Sequence, residues 1–173
     1  MIEYWSFFKR VQLNCSIDAV GNRDRYIRYP SNWEKVKTNF DELNKLDNVY
    51  IQIHCTVQAL NICALDEVLD FAESRGLEGD QVYLNILNHP DCMNIRVLPE
   101  KLKEKAILKL LPYQKWPKVM DTLMYMQAED WHDQYWHEFV AYNKKMDELQ
   151  NMDLLIACPE FKEFILNERS PGM

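Results

Sequence analysis

The sequence predicts an α/β protein with a parallel sheet, because strand-like and helix-like segments alternate along its first half. Apolar and polar residues alternate in three short runs, at about 11–17, 49–57 and 81–87, as in β-strands. Helical periodicity separates each run from the next, and this order is typical of right-handed βαβ units. From Pro99 onwards the pattern is helical. We therefore expect an α/β region over 1–98 and a helical extension over 99–173 that packs on it.

The first 10 residues, MIEYWSFFKR, are rich in aromatic side chains. Trp5, Phe7 and Phe8 resemble the buried face of a short helix. We expect them to cover the core of this domain, since large aromatic side chains are usually buried. The alternative is that they mark the position of a missing neighbour.

The first strand predicts a ligand site at its carboxyl end. Ser16 and Asp18 are two residues apart and therefore on one face, at the end of a parallel strand where ligands usually bind. Gly21 and Asn22 predict a turn directly after it. Two alternatives stay open: Asp18 only caps that turn, and Ser16 only fills the interior of a barrel.

Three arginines follow this turn, and Arg28 is the best candidate to bind an anion. Tyr26 and Tyr29 place apolar surface around it, whereas Arg23 and Arg25 are expected to flank an exposed turn. The alternative for Arg28 is an ordinary surface salt bridge to one of the many acidic residues.

Ser31 is the predicted N-cap of a helix over about 31–46, with a glutamate three residues later as in a capping box. The strand over 49–57 then presents a polar face made of Tyr50, Gln52, His54 and Thr56. We expect His54 to be a satisfied buried histidine rather than a catalytic one. A helix over about 64–74 ends at Arg75-Gly76, and the third strand comes after it.

The rest of the chain is predicted to be mainly helical. Residues 93–98 form an extended segment or a short extra strand, and Pro99 then begins a helix that runs to about residue 111. A helix beginning at Pro117, a long one over 130–146 and a short one after Pro159 complete the chain.

Composition excludes several classes of protein. The net charge of −7 argues against a general binder of nucleic acid or anionic membrane, because these need a positive field. No run of 18 apolar residues occurs, and the order of charges at the amino terminus is the reverse of a secretory signal, so we expect a cytoplasmic protein.

The five cysteines form no CxxC or CxxxC pair, and His132 and His137 are one residue off the spacing of two ligands on one helical face. No metal site is predicted.

Four segments together resemble the carboxyl-terminal half of radical S-adenosylmethionine enzymes, most of all the twitch-domain proteins of phages and marine bacteria. They are SIDAVGNRDRYIRYPSNWEKVKTNF, IHCTVQALNI, LPEKLKEKA and DELQNMDLLIACPEF. The resemblance covers about residues 9–166, and its most specific part is SIDAVG…YIR…NW. It implies a partial (β/α)6 TIM-like barrel, of which the three predicted strands would be the last three, followed by the helical C-terminal region.

The resemblance also implies a set of cofactor-binding residues. Ser16 and Arg28 match the positions that hold the amino-acid part or the ribose of S-adenosylmethionine. Asp18 matches an acid that faces substrate or cofactor, and Thr56 and Asn61 fall at the cofactor-facing end of the next strand.

One departure from the family pattern concerns activity. The CxxxCxxC loop that ligates the [4Fe–4S] cluster is absent from this chain, so the chain is not expected to hold that cluster. The expected function is a fragment or split part of a radical S-adenosylmethionine enzyme. Its partner would be a missing N-terminal barrel half that carries CxxxCxxC, and its substrate a peptide, a protein or a small molecule. The alternative is a non-catalytic α/β remnant that acts as an interaction or small-ligand binding domain.

Overall fold

The computed structural model describes residues 2–168 and confirms an α/β fold with a three-stranded parallel sheet. The predicted strands agree with the observed ones to within one residue at each end. The strands are β1 (Val11–Ser16), β2 (Val49–Val57) and β3 (Val82–Ile86). The helices are α1 (Ile2–Trp5), α2 (Gly21–Ile27), α3 (Trp33–Leu43), α4 (Leu65–Glu73), α5 (Glu100–Leu110), α6 (Val119–Ala128), α7 (His132–Gln150), α8 (Leu154–Ala157) and α9 (Lys162–Glu168).

The strands lie in the order β1-β2-β3, and both neighbouring pairs are parallel. Right-handed crossovers between strands in sequential order place their helices on the same face of a sheet. The burial pattern agrees with this arrangement. On one face, Ile51, Ile53 and Cys55 of β2 are buried. On the other face, the residues of β1 and β3 are exposed: Gln12, Asn14, Ser16, Tyr83 and Asn85. One face of the sheet is therefore a core, and the other is open.

Helices α3 and α4 pack against each other in the core. The rings of Trp33 and Phe40 on α3 meet the ring of Phe71 on α4 edge to face, with centroids 5.0 and 5.2 Å apart. The same apolar cluster continues into the carboxyl-terminal helices, where the ring centroids of Phe139 and Phe161 are 5.1 Å apart. Among residues 2–168, no helix has both the length and the apolar composition needed to cross a membrane.

The expected turn at Gly21 and Asn22 is wrong, because helix α2 begins there. Gly21 has a φ of +61°, a left-handed conformation that favours glycine, and it bends the chain from the loop into the helix. The expected N-cap at Ser31 is also wrong. Asn32 is the N-cap of α3 and accepts a hydrogen bond of 3.1 Å from the Lys35 amide, while the Ser31 hydroxyl donates to Asp24.

The possible extra strand over 93–98 is not present. This segment forms two 3₁₀ turns, Asp91–Met93 and Ile95–Val97. The buried side chain of Asn94 stabilises it, because its Nδ2 donates to the Leu87 carbonyl and its Oδ1 accepts from the Arg96 amide. These bonds replace the ladder that a fourth strand would have needed.

The amino-terminal aromatic residues do not cover the core. Phe7 is 83% exposed and Phe8 is 60% exposed, so their expected burial in this domain is wrong. The segment is held through its backbone, since the Asn48 side chain donates to the carbonyls of Trp5 and Phe8 at 2.8 and 3.1 Å. The alternative, a missing neighbour, stays a prediction.

Candidate functional site

Asp18 connects the carboxyl ends of β1 and β2. One of its carboxylate oxygens accepts a hydrogen bond of 2.7 Å from the Thr56 amide, and the other accepts one of 2.6 Å from the Arg28 guanidinium. Its backbone carbonyl accepts from the Asn61 side chain at 2.8 Å. Asp18 is buried, and both of its carboxylate oxygens therefore have partners within the chain.

Asn61 is fully buried beside Asp18, and its amide group is also engaged. Its Nδ2 donates to the Thr56 carbonyl at 2.9 Å as well as to Asp18, and its Oδ1 accepts from the Gln58 amide at 2.8 Å. The structure thus brings Asp18, Arg28, Thr56 and Asn61 into one hydrogen-bonded network. Their role in binding a cofactor stays a prediction.

Ser16 lies outside this network, on the open side of the sheet. It is aligned with His54 of β2, which is aligned in turn with Tyr83 of β3. We call this side the open polar face. Its residues are Gln12, Asn14, Ser16, Tyr50, Gln52, His54, Thr56, Tyr83 and Asn85.

His54 has an unusual environment on the open polar face. Its ring stacks on that of Tyr83, with centroids 5.0 Å apart and an angle of 22° between the planes. Its Nε2 is buried and has no hydrogen-bond partner among residues 2–168, so the expectation of a satisfied histidine is wrong at this atom. Buried polar atoms nearly always have partners, which makes this nitrogen a candidate contact for a ligand.

The two ends of the open polar face differ. At the amino end, the Tyr50 hydroxyl donates to Asp80 at 3.0 Å, and Gln52 bonds both Gln12 and the Asp80 carbonyl. At the carboxyl end, the side chains of Ser16, Thr56 and Asn85 make no hydrogen bond with any residue in the described range. The groups that are free to bind a ligand are therefore at the carboxyl ends of the strands, where parallel sheets usually bind ligands.

The three arginines after β1 lie in three different environments, and Arg23 is the one whose expected exposure is wrong. Arg23 is buried on α2 rather than exposed at a turn: its guanidinium forms two bonds to Glu160, of 2.7 and 2.9 Å, and also donates to the Leu60 carbonyl. Arg28 is paired with Asp18, while its side chain is 39% exposed. Arg25 is exposed and has no partner among residues 2–168.

The cysteines do not form a metal centre within the described part of the chain. Cys55, Cys63, Cys92 and Cys158 are buried, and Cys15 is half-buried. Burial raises the pKa of the Cys63 and Cys158 thiols to about 12, which keeps them protonated at neutral pH. No group of three or more histidine, cysteine or acidic residues within 2–168 is arranged to hold a metal ion.

Comparisons with protein-family models, with curated proteins and with solved structures found no match to this chain. The function is therefore inferred from the fold and from the geometry of the site. Sequence patterns placed Ser16 and His54 on polar faces, but they did not indicate that the two residues are neighbours. Only the strand register, which alternation does not encode, brings them together.

Proposed function

We propose that this chain is one half of a β/α barrel of the radical S-adenosylmethionine kind, whose open polar face forms part of the site for S-adenosylmethionine or the substrate. The observation that carries the proposal is the open polar face itself. All-parallel sheets are almost always covered on both faces, and helices would cover a sheet through apolar residues. A polar face suits the interior of a barrel that holds a small ligand.

The free groups on this face suit the proposed ligand. The hydroxyls of Ser16 and Thr56 and the amide of Asn85 can bond ribose hydroxyls or the amino-acid part of S-adenosylmethionine. Tyr83, with 45% of its surface exposed beside His54, offers an aromatic ring for stacking against a heterocycle. The [4Fe–4S] cluster would come from a second polypeptide that carries CxxxCxxC, since this chain lacks that motif.

One observation favours the alternative, a non-catalytic domain that binds a small ligand. Asp18, Arg28 and Asn61 already bond one another or the backbone, so the strand-end groups that the resemblance assigns to the cofactor have internal partners. In that case the open polar face binds a ligand without any radical reaction.

The first test is calorimetric titration of the chain with S-adenosylmethionine. We expect binding, and we expect Ser16→Ala and His54→Ala each to weaken it severalfold, since a hydrogen bond contributes about 0.5–1.5 kcal/mol and a tenfold change in affinity corresponds to about 1.4 kcal/mol. Thr38→Ala, an exposed hydroxyl on α3, is the matched control and should leave the affinity unchanged. Absence of binding, or equal losses in all three variants, contradicts the proposal.

Arg28→Ala tests whether Arg28 holds the cofactor, as the resemblance implies, or only neutralises Asp18. If Arg28 holds the cofactor, the variant loses affinity for S-adenosylmethionine by far more than it loses thermal stability. If Arg28 only neutralises Asp18, the melting temperature falls and the affinity of the folded variant is unchanged. Copurification of the chain with a cluster-bearing polypeptide would further support the split enzyme.

A further inference from the structure

An open cleft of about 460 Å³ lies between α2 and the beginning of α3, apart from the open polar face. Its size is within the range of small-ligand pockets. Helix residues and the connection between the two helices form its walls, whereas the open polar face is formed by strands. The lining residues are Gly21, Asn22, Arg25, Tyr29, Pro30, Ser31, Asn32, Trp33 and Glu34.

Two opposite charges line this cleft without pairing. Within residues 2–168, Arg25 and Glu34 form no salt bridge with each other, and neither side chain has another hydrogen-bonding or ionic partner. The neighbouring arginines behave differently, because Arg23 pairs with Glu160 and Arg28 pairs with Asp18. The guanidinium of Arg25 and the carboxylate of Glu34 are therefore both available to a ligand of opposite charge.

Aromatic side chains provide the apolar part of the cleft. Tyr29 is about half exposed and is one of the residues that line the cleft. Trp33 is half-buried and is fixed in place because its ring packs edge to face on Phe71, with centroids 5.0 Å apart. The wall formed by Trp33 is therefore rigid before any ligand binds, which lowers the entropic cost of binding.

We propose that this cleft binds an α-amino acid with an apolar side chain, in its zwitterionic form. The carboxylate pairs with the Arg25 guanidinium, whose planar donors match a carboxylate in two parallel bonds. The ammonium group pairs with the Glu34 carboxylate, and the apolar side chain packs on Tyr29 and Trp33. A ligand with only one of the two charges would leave either Arg25 or Glu34 without a partner.

The test is to titrate the whole chain with L-phenylalanine, 3-phenylpropanoate or phenethylamine and to measure binding by calorimetry or ligand-observed NMR. The last two compounds keep the ring and lack the ammonium group or the carboxylate, respectively. We expect L-phenylalanine to bind at least tenfold more tightly than either analogue. Arg25→Gln and Glu34→Gln should each weaken its binding at least tenfold. Lys37→Gln, a charge removal elsewhere on α3, is the control and should have no effect.

Glu34→Gln should also reduce the ratio of the affinity for L-phenylalanine to the affinity for 3-phenylpropanoate. General damage to the fold would weaken both ligands and leave this ratio unchanged. Arg25 and Glu34 are exposed, so both variants are expected to fold. No saturable binding of L-phenylalanine, or unchanged binding in Arg25→Gln, would overturn the proposal. Ser16→Ala should leave this binding intact, so failure at the open polar face and failure at this cleft are distinguishable.

Discussion

At the scale of single residues, the ion pair between Arg23 and Glu160 is the main buried polar contact between the α/β region and the last helical segment. The two side chains are only 8% and 5% exposed, and they meet through two hydrogen bonds. A charge that loses its partner in such a place is costly, because water cannot replace the lost bonds.

Glu160→Gln is therefore expected to lower the free energy of unfolding by about 3–5 kcal/mol, since it leaves the Arg23 guanidinium buried without the carboxylate that it bonds twice. Urea unfolding followed by circular dichroism measures the change. The matched control is Glu163→Gln, which removes a pair with Lys101 whose side chains are both largely exposed and should have little effect. If the two substitutions changed the free energy of unfolding equally, burial would not be the reason that the Arg23–Glu160 pair contributes to stability.

Asp24 gives a prediction about pH. It is buried on α2, and burial raises the pKa of its carboxyl group above the ordinary value of 3.8, although the hydrogen bond from Ser31 opposes this shift. A carboxyl group with a raised pKa stabilises the folded state below its ordinary pKa, and this contribution is lost as the pH rises through the raised pKa.

The stability of the wild type relative to Asp24→Asn should therefore fall as the pH rises above about 3.8 and become constant once Asp24 is ionised in the folded state. Urea unfolding of both proteins from about pH 3 to about pH 7 measures the difference. Ser31→Ala should extend the fall to higher pH, because it removes the hydrogen bond that stabilises the carboxylate. A difference that is constant with pH would contradict the raised pKa.

At the scale of elements, helix α2 packs on the carboxyl-terminal helices through its buried side and forms one wall of the cleft through its exposed side. Its buried residues include Arg23 and Tyr26, and the Tyr26 hydroxyl donates to Asp147 at 2.8 Å, which ties α2 to the end of α7. Its exposed residue Arg25 lines the cleft shared with α3. A helix of seven residues is too short for its periodicity to be recognised in the sequence, so neither set of contacts was predicted.

Within the described range, 2–168, the two outer strands of the sheet each pair on one side only, with β2. An unpaired edge is a template for association with another strand. The exposed Phe7 and Phe8 precede the edge strand β1 in the chain, with two residues between Phe8 and the strand. An open polar face, an unpaired edge and exposed aromatic residues are together what the proposed half-barrel requires of a surface that meets a second polypeptide.

At the scale of the whole molecule, the positions of the cysteines predict that the chain alone holds no [4Fe–4S] cluster. Such clusters need several thiolates around one site. Here Cys63 and Cys158 are buried thiols whose pKa is raised by burial, and the sequence lacks CxxxCxxC.

Anaerobic reconstitution of the purified chain with iron and sulfide should accordingly yield no stoichiometric iron after desalting. Reconstitution in the presence of a cluster-bearing partner polypeptide should yield iron that elutes with the complex. Retention of about four irons by the chain alone would contradict the assignment of the cluster to another polypeptide.

Local patterns in the sequence were sufficient to predict the α/β class, the three strands and the two faces of each, because alternation and helical periodicity are properties of short stretches of chain. Which side chains meet depends instead on how distant stretches pack. Strand register placed Ser16 beside His54, the packing of the last helices buried Arg23 against Glu160, and internal partners engaged Asp18 and Asn61. These contacts join residues far apart in the chain, and no local pattern encodes the packing that forms them.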